Sequence, residues 1–379
     1  MLVAYGMSIV GTSHVGKNAP CQDSHRYELL ANGWMAIAVA DGVGSAKHSE
    51  VASKMACDTF IETCKDCINQ DTQTSEIKDI LQKAYKAADQ KIKDFVYKID
   101  DIITDYDTTL STVVYDGKHI VYGHSGDGGI VVLTTAGDYI KVTKPQKADD
   151  GICVVPLRAG EAYWEFGECE AEVASVLLAT DGVYDNFMPY LLRGQPVELY
   201  VPLIRWFMDN NIIGITAENR EQVEESRKKF LCGDSCKVIT DDKTIVVAFN
   251  ADIIPALKDE SYYAEPDWAK LQELWNRKAY PHLYKDKTVV EDAEKGSDKK
   301  IEAEPKEAIE TEPKENTDEK QETSLAQSDT SDTEKAEESN VVEEPQQEVA
   351  ATNEKREQIE VAQPAEKKKG LFNLFKKKN

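Results

Sequence analysis

The amino-acid sequence predicts an α+β fold that is followed by a long tail without a hydrophobic core. Its β-rich runs come in groups, and two long amphipathic segments separate the first group from the second. This order differs from the strict alternation of strand and helix in a parallel, doubly wound sheet. The tail is predicted from composition, because 291–366 holds 25 acidic and 9 basic residues and no Phe, Tyr or Trp. Such a segment cannot bury enough apolar surface to offset the entropy lost on folding.

The first 45 residues are predicted to be mainly strands. Residues 3–10 alternate loosely between apolar and polar, and 34–40 form a continuous apolar run that ends at an Asp-Gly pair. A short apolar run closed in this way indicates a buried strand that enters a loop. Apolar side chains then recur at helical spacing over 49–67 and 77–96, which predicts two amphipathic helices.

Glycine-rich turns separate the β-rich runs that follow, which predicts an antiparallel meander. The later runs cover 108–114, 119–123, 129–134, 173–179 and 244–249. Helical segments are predicted over 197–210 and 216–231. A further helical extension is predicted over 267–283, where Trp268 and Trp275 would serve as packing anchors.

Composition divides the chain into four predicted parts. They are a folded domain over 1–255, a helical extension over 256–290, an acidic disordered linker over 291–366 and a basic-apolar tail over 367–379. The tail interleaves leucine and phenylalanine with six lysines, which suits weak, reversible contact with an anionic membrane surface. It equally suits a partner domain or the acidic linker itself. The linker is interpreted mainly as a solvated tether.

The overall charge narrows the range of partners and locations. The formal net charge is −24, which argues against a nucleic-acid partner and suits divalent cations better. The chain starts without a basic segment followed by a long apolar run, and no apolar stretch approaches the length of a membrane span. From eight cysteines without an export signal we expect reduced thiols and a cytoplasmic location, with peripheral membrane contact through the tail.

Aspartates recur where an apolar strand stops or a glycine-rich turn begins. Carboxylates that converge at strand ends repel one another unless a cation neutralises them. Oxygen ligands of this kind suit Mg²⁺ or Mn²⁺, and two such ions can share and activate one water. Each Asp-Gly alone is more often a plain turn, so the prediction of a metal site depends on the set and on its order. The set is Asp23, Asp41, Asp127, Asp181 and Asp241.

The motifs around these aspartates resemble those of the metal-dependent protein phosphatase family, the type 2C serine/threonine phosphatases. The resemblance extends from about residue 11 to residue 249. Each motif is weakly specific alone, whereas six motifs in the right order at strand ends form a specific pattern. The matching segments are Cys21-Gln22-Asp23-Ser24, Asp41-Gly42-Val43-Gly44-Ser45 with Glu50-Val51-Ala52-Ser53, Thr108-Thr109, Gly126-Asp127-Gly128-Gly129, Thr180-Asp181-Gly182-Val183-Tyr184-Asp185 and Asp241-Asp242-Lys243-Thr244.

This resemblance implies a four-layer α-β-β-α sandwich of two antiparallel sheets, with metals in a cleft at one end. It implies hydrolysis of phosphoserine and phosphothreonine in proteins by a water that two metal ions activate, without a covalent intermediate. The expected cofactors are two ions, or three, of Mg²⁺ or Mn²⁺. The expected phosphoproteins are a partner Ser/Thr kinase or the targets of that kinase.

The family's site roles carry over residue by residue. Asp41 would bridge the two catalytic ions, and the carbonyl of Gly42 would bind one of them. Asp127 and Asp185 resemble ligands of a third ion that shares Asp181. The implied catalytic acids are Asp41, Asp181 and Asp241, and the full set of implied metal ligands is Asp23, Asp41, Gly42, Asp127, Asp181, Asp185 and Asp241.

Three positions depart from the family pattern. Gln22 stands where a glutamate is usual, and Val43 stands where many members carry a histidine proposed as general acid. Asn18 replaces the arginine that holds the substrate phosphate, and the adjacent Lys17 would substitute as a point charge rather than a bidentate fork. The candidates for contact with the substrate phosphate are therefore Lys17, Asn18 and His48. The candidates for general acid are His48 and His14.

Other interpretations stay open. The three departures leave room for a catalytically silent relative that binds a phosphoprotein or a partner kinase. The arginine-poor site also admits small phosphorylated metabolites as substrates. A serine-hydrolase elbow at His124-Ser125-Gly126-Asp127 is disfavoured because an aspartate occupies the position of the last glycine. A four-thiolate zinc site is disfavoured because two of its cysteines would lie on a predicted amphipathic helix. Its ligands would be Cys64, Cys67, Cys232 and Cys236.

Overall fold

The computed structural model describes residues 1–148 and 153–284, and ten strands form two sheets within them. The predicted linker over 291–366, the predicted tail over 367–379 and the last six residues of the predicted extension lie outside the described residues. The strands are β1 (Leu2–Ile9), β2 (Ser24–Leu29), β3 (Met35–Ala40), β4 (Leu110–Tyr115), β5 (Ile120–Ser125), β6 (Gly129–Thr134), β7 (Tyr139–Lys141), β8 (Glu165–Glu168), β9 (Val173–Ala179) and β10 (Lys243–Asn250).

Both sheets have five strands. The first sheet has the order β1-β10-β9-β6-β7, and the second has the order β2-β3-β4-β5-β8. Every pair of neighbours is antiparallel. The two antiparallel sheets and the α+β class predicted from the sequence are therefore confirmed.

Helices cover the outer face of each sheet. Long helices α2 and α3 bury their apolar sides on the second sheet, and α4, α5 and α7 pack on the first. No helix in the two described ranges is long and apolar enough to cross a membrane. The helices are α1 (Thr12–Val15), α2 (Ser49–Cys67), α3 (Ile77–Lys98), α4 (Asp181–Phe187), α5 (Val201–Met208), α6 (Asn210–Ile213), α7 (Arg220–Leu231) and α8 (Trp268–Ala279).

A third apolar layer lies between the two sheets. Ile37 and Val113 of the second sheet are fully buried there against Val176 and Val246 of the first. The order of layers is thus helix, sheet, sheet, helix, as predicted. Because both faces of β3 are covered, all six of its residues are buried, which explains a continuous apolar run where a half-exposed strand would alternate.

The structure matches some predicted elements closely and changes others. Helix α2 has the predicted bounds of 49–67, whereas the helix predicted over 197–210 begins only at Val201, beside Pro202, and ends at Met208. Asp209 ends α5 and starts α6, because its side chain accepts a hydrogen bond from the Asn211 N–H at 2.8 Å. Strands β7 and β8 were not predicted, since both are short edge strands without an alternating apolar pattern.

Helix α8 lies beyond the last strand and is held by aromatic contacts. Asp267 caps it by accepting a hydrogen bond from the Lys270 N–H at 3.1 Å. The Trp268 ring meets the Tyr200 ring edge-on, with 5.3 Å between ring centroids. The predicted anchor Trp275 meets Tyr190 in the same manner at 5.5 Å. These contacts attach the extension to the segments around α4 and α5.

Candidate metal centre

Antiparallel register brings the predicted aspartates to one end of the sandwich. Ser24 pairs with Ala40, so Asp23 and Asp41 extend from neighbouring strands at the same end. In the other sheet Gly129 pairs with Ala179, and β10 begins beside the end of β9. The turn that carries Asp127 and the loops that carry Asp181, Asp185 and Asp241 therefore lie at this end too. We call the six residues Asp23, Asp41, Asp127, Asp181, Asp185 and Asp241 the acid cluster.

Three members of the acid cluster approach one another closely. Carboxylate oxygens of Asp41, Asp127 and Asp181 all lie within 4.8 Å of one another. In the described residues this is the one group of three or more His, Cys, Asp or Glu side chains with the spacing of metal ligands. The resemblance implies that Asp127 and Asp185 hold a third ion that shares Asp181, and the proximity of Asp127 to Asp181 is compatible with this prediction.

The backbone around Asp41 is fixed by two threonines. The Asp41 N–H donates to Thr109 Oγ1 at 2.9 Å, and its carbonyl accepts from the Thr109 N–H at 2.8 Å and from Thr108 Oγ1 at 2.9 Å. These bonds join the ends of β3 and β4 and occupy the main chain of Asp41. Its carboxyl group is therefore held at the end of the sheet and is left to interact with the other acids.

Asp23 links the two sheets. It is buried, and its Oδ2 accepts a hydrogen bond from Thr180 Oγ1 at 2.8 Å. Thr180 lies at the end of β9 and accepts a further hydrogen bond from the Thr244 N–H at 3.2 Å. A threonine in the Thr180-Asp181-Gly182 motif thus orients an acid that is 157 residues away in sequence.

Burial, and to a lesser extent the charge of neighbouring acids, raises the pKa values of several members of the acid cluster. Burial raises the pKa of Asp23 to about 7 and that of Asp181 to about 6. The pKa of Asp41 is raised well above its usual range by removal of the carboxyl group from water and then by the charges of Asp23 and Asp181. Burial also raises the pKa of Asp127, and Lys147, 3.5 Å away, opposes this increase. A divalent cation would remove the repulsion and favour ionised carboxylates.

Two glycines allow the loops of the site to approach closely. A Cβ on Gly42 would lie 2.7 Å from the Gln22 carbonyl oxygen, and a Cβ on Gly182 would lie 2.1 Å from the carbonyl oxygen of Asp242. The Gly42 N–H also donates to the Gln22 carbonyl at 3.2 Å. The glycines of these two Asp-Gly pairs are therefore required by close packing at the site.

Asp242 organises the loop before β2, a role that the sequence did not predict. This buried carboxylate accepts hydrogen bonds from the Gly11 N–H at 2.6 Å, the Gln22 N–H at 2.5 Å and His14 Nδ1 at 2.9 Å. Its partners lie 220 to 231 residues away in sequence, so no local pattern marks the residue. His14, a predicted candidate for general acid, is thus a partner of Asp242.

The predicted phosphate contacts lie on two different loops. Lys17 and Asn18 are exposed in the turn after α1, and Asn18 adopts a left-handed conformation with φ of 55°. His48 precedes α2, where its ring lies 5.2 Å from the Tyr106 ring and 4.0 Å from Asp101 Oδ2. The roles of these three residues in phosphate binding stay predictions.

A cleft of about 630 Å³ adjoins the acid cluster. Asp127, Asp181 and Asp185 line it together with Glu198. Four cationic residues line it as well; Lys147 lies 3.5 Å from Asp127, and Lys141 pairs with Glu198 at 2.9 Å. The sequence did not single them out, although the three lysines recur every third residue. These cationic residues are Lys141, Lys144, Lys147 and Arg193.

The two rival sites are not assembled. Ser125 is fully buried in β5 and its hydroxyl has no hydrogen-bond partner in the described residues, so it cannot serve as a surface nucleophile. The buried His124 instead pairs with Ser111 through Nδ1, at 2.9 Å. Cys64 and Cys236 belong to hydrophobic clusters on opposite sheets, which separates the two pairs of the considered zinc site.

The structure is a two-sheet sandwich covered by helices, with carboxylates that meet at one end of the sheets. The family described as Protein phosphatase 2C matches residues 10–210, more than half of the chain. The chain therefore belongs to the protein phosphatase 2C family, and the predicted family and enzyme class, a protein serine/threonine phosphatase, are confirmed.

The chain is also similar to individual bacterial phosphatases. Serine/threonine-protein phosphatase 3 of Escherichia coli (strain K12) is 25% identical over 264 residues, which cover 65% of this chain and 97% of the relative. A solved structure of a bacterial serine phosphatase has a TM-score of 0.50 at 13% identity and covers 68% of this chain and 100% of its own, which supports the fold. Another solved structure, the catalytic domain of PstP in complex with two manganese ions, has a TM-score of 0.44 at 19% identity and covers 65% and 97% of the two chains.

Proposed function

We propose that the chain hydrolyses phosphoserine and phosphothreonine in proteins at a divalent metal centre formed by the acid cluster. The observation that carries this proposal is the grouping of Asp41, Asp127 and Asp181 carboxylates within 4.8 Å. The name of the E. coli relative, a serine/threonine-protein phosphatase, supports the choice of phosphorylated amino acids. The retained cluster favours an active enzyme over a silent binding module.

The donor set fits Mg²⁺ or Mn²⁺. The cluster offers carboxylate oxygens only, and hard oxygen ligands are those that these ions prefer. Asp41 interacts with both Asp23 and Asp181, and it would be the acid shared by two ions when these are bound. The Gly42 carbonyl and Asp241 would complete this pair of sites, and Asp127 and Asp185 would hold a third ion. The buried side-chain oxygen of Gln22 has no hydrogen-bond partner in the described residues, which leaves it available to a water of the site.

Bound ions would supply an activated water and would neutralise charge on the phosphoryl oxygens. The protein itself holds the acids in fixed positions. Thr108 and Thr109 fix Asp41, and Thr180 of the first sheet fixes Asp23 of the second, so these two acids on neighbouring strands are held in place. The exposed cations of the cleft attract a phosphorylated substrate toward these acids.

The proposed substrates are phosphoproteins, and a Ser/Thr kinase or its targets are the proposed partners. A phosphatase that cleaves phosphoserine needs a kinase of the same specificity to supply its substrate. We propose a cytoplasmic location, which the buried thiols of Cys57 and Cys64 support, since reduced cysteines are typical of that compartment. Contact with a membrane surface through 367–379 remains a proposal from sequence.

The test is hydrolysis of a phosphothreonine peptide by the full chain with Mn²⁺, with EDTA, and by the Asp181→Asn variant with Mn²⁺. We expect phosphate release that requires Mn²⁺ and falls about a thousandfold in the variant. The matched control is Asp66→Asn, an exposed position on α2. A wild-type chain that binds Mn²⁺ but releases no phosphate would instead identify a phosphoprotein-binding module.

A further inference from the structure

An apolar groove opens beside the cleft of the acid cluster. It has a volume of about 780 Å³ and lies between the turn 190–195 and helix α8. Three large apolar residues on its walls are exposed, namely Tyr190 by 49%, Leu274 by 50% and Trp275 by 39%. Exposed apolar side chains normally occur singly, and a contiguous set of them marks a surface that binds another molecule.

The walls of this groove are fixed by contacts within the folded chain. Tyr190 meets Trp275 edge-on at 5.5 Å, and its hydroxyl donates to Gln272 Oε1 at 3.0 Å. The neighbouring Leu192 is buried in the core beneath the first sheet, which anchors the turn. The groove is thus preformed by an ordered helix and an anchored turn, and a ligand would not have to order it.

Arg193 connects the groove to the acid cluster. Its side chain lines both the groove and the cleft, and its charge opposes the increase in the pKa of Asp185. Lys278 adds a second cation to the apolar walls. A chain lying in the groove would therefore pass a cationic residue and arrive directly at the acids.

We propose that this groove binds the polypeptide of the substrate next to its phosphorylated residue and selects apolar side chains there. The inference rests on the function proposed above, because a phosphate held at the acid cluster places the neighbouring residues of the substrate at Arg193. A phosphorylated peptide is anionic, which matches Arg193 and Lys278, and apolar side chains match Leu274 and Trp275.

The chain's own C-terminal residues fit the groove less well. The stretch 285–366 begins just after α8 but contains one leucine and no aromatic residue, so it offers few side chains to an apolar groove. The segment 371–375 is apolar, but six lysines flank it, and these would be repelled by Arg193 and Lys278. The substrate is therefore the better occupant.

The test compares two phosphothreonine peptides that differ only in their flanks, one with Leu and Phe and the other with Ser and Gly. The full chain with Mn²⁺ is assayed on both and on p-nitrophenyl phosphate, which is too small to reach the groove. We expect kcat/KM to be about tenfold higher for the apolar peptide than for the polar one. We expect this preference to fall about fivefold in Leu274→Ala and about tenfold in Trp275→Ala, each measured relative to p-nitrophenyl phosphate. The matched control Leu29→Ala changes an equally exposed leucine on β2 and should keep the preference.

The outcomes separate the two proposals. Failure to hydrolyse p-nitrophenyl phosphate with Mn²⁺ would count against the metal-dependent function itself. Hydrolysis with an unchanged peptide preference in both groove variants would overturn the groove. A photo-crosslinking residue placed at 274 gives a second readout that needs no turnover. Crosslinks to the apolar phosphopeptide support the proposal, whereas crosslinks within the chain to 285–379 would assign the groove to the chain's own C-terminal residues.

Discussion

Two sets of buried or half-buried carboxylates in this molecule have opposite surroundings. Asp209 accepts a hydrogen bond from Arg205 Nε at 2.7 Å and from the Asn211 N–H at 2.8 Å, and Asp242 accepts from two backbone N–H groups and from His14. In the acid cluster, by contrast, the carboxyl groups of Asp41 and Asp181 face other carboxylates. The carboxylates of Asp209 and Asp242, called here the satisfied acids, have hydrogen-bond donors within the protein. The carboxyl groups of Asp41 and Asp181, called here the unsatisfied acids, face other acids instead.

This difference distinguishes carboxylates that stabilise the fold from carboxylates whose charge a bound cation would compensate. A buried carboxylate with several donors stabilises the fold because its charge is compensated. Carboxylates that face one another destabilise the metal-free fold, and the structure keeps them close nevertheless. Such an arrangement is typical of functional sites, where groups needed for ligand binding lower the stability of the ligand-free fold. The comparison therefore predicts opposite responses to mutation in the two sets.

The largest effect is expected for Asp41→Asn, which removes one charge from the unsatisfied acids. Loss of the Asp41 carboxylate should weaken Mn²⁺ binding at least a hundredfold, because a ligand that interacts with both Asp23 and Asp181 is removed. Isothermal titration calorimetry measures the affinity. In EDTA the same variant should unfold at a higher temperature than the wild type, since a source of repulsion is lost. A variant that keeps its Mn²⁺ affinity would contradict the assigned centre.

The next largest effect is a loss of stability, and it is expected for Asp242→Ala, which removes one of the satisfied acids. Asp242→Ala leaves two backbone N–H groups and His14 without their acceptor, so we expect a loss of about 3 kcal/mol in the free energy of unfolding. Urea denaturation in EDTA measures this loss. The exposed Asp66→Ala on α2 is the control and should change the free energy by less than about 0.5 kcal/mol. A neutral Asp242→Ala would show that these hydrogen bonds do not support the loop.

The pH dependence of stability tests the difference between the satisfied and the unsatisfied acids without any mutation. Because burial raises the pKa of Asp23 to about 7 and that of Asp181 to about 6, the folded metal-free protein binds more protons than the unfolded chain between about pH 4 and 7. Its stability is therefore fully present below pH 4 as far as these two groups are concerned, and it falls as the pH rises to 7. Unfolding in EDTA across this range measures the fall.

Metal binding should have the opposite dependence on pH, because it should become more favourable as the pH rises and the acids ionise. Mn²⁺ favours ionised carboxylates, so its binding at pH 6.5 should release at least one proton, about one in total from Asp23 and Asp181 and a further contribution from Asp41, whose pKa is also raised. Calorimetry in buffers of different ionisation enthalpy counts the protons released. Binding without proton release would indicate that the acids are already ionised in the metal-free protein, and it would remove the distinction drawn between the two sets.

Parts of the fold could be predicted from sequence because their causes are local. Helix α2 has an apolar spacing that specifies its buried side and its length. The run at β3 is apolar throughout and that at β9 is apolar apart from Ser175, because both faces of these strands are buried. Strand β8 depends instead on pairing with β5, and its Glu-Phe-Gly-Glu sequence carries no periodic signal. Local patterns therefore predict buried elements better than edge strands.

The same limit applies to the site. Asp41, Asp127 and Asp181 could be predicted because each follows a recognisable strand or turn, and antiparallel register then brings them together. Asp242 is adjacent to a predicted acid, but its role depends on partners more than 200 residues away. Arg193 likewise has no motif of its own, and only the packing of its turn beside α4 places it in the cleft.

The smallest effect is expected at Asp127, which lies between the two sets because it faces both acids and the exposed Lys147 at 3.5 Å. Lys147→Met should strengthen Mn²⁺ binding about threefold, since a partly exposed charge contributes up to about 1 kcal/mol and here repels the cation. It should also raise KM for a phosphopeptide by about the same factor, because the phosphate loses an attracting charge. Lys147→Arg keeps the charge and should leave both values unchanged. If Lys147→Met weakened Mn²⁺ binding instead, Lys147 would act by holding Asp127 in place, and Asp127 would belong with the satisfied acids.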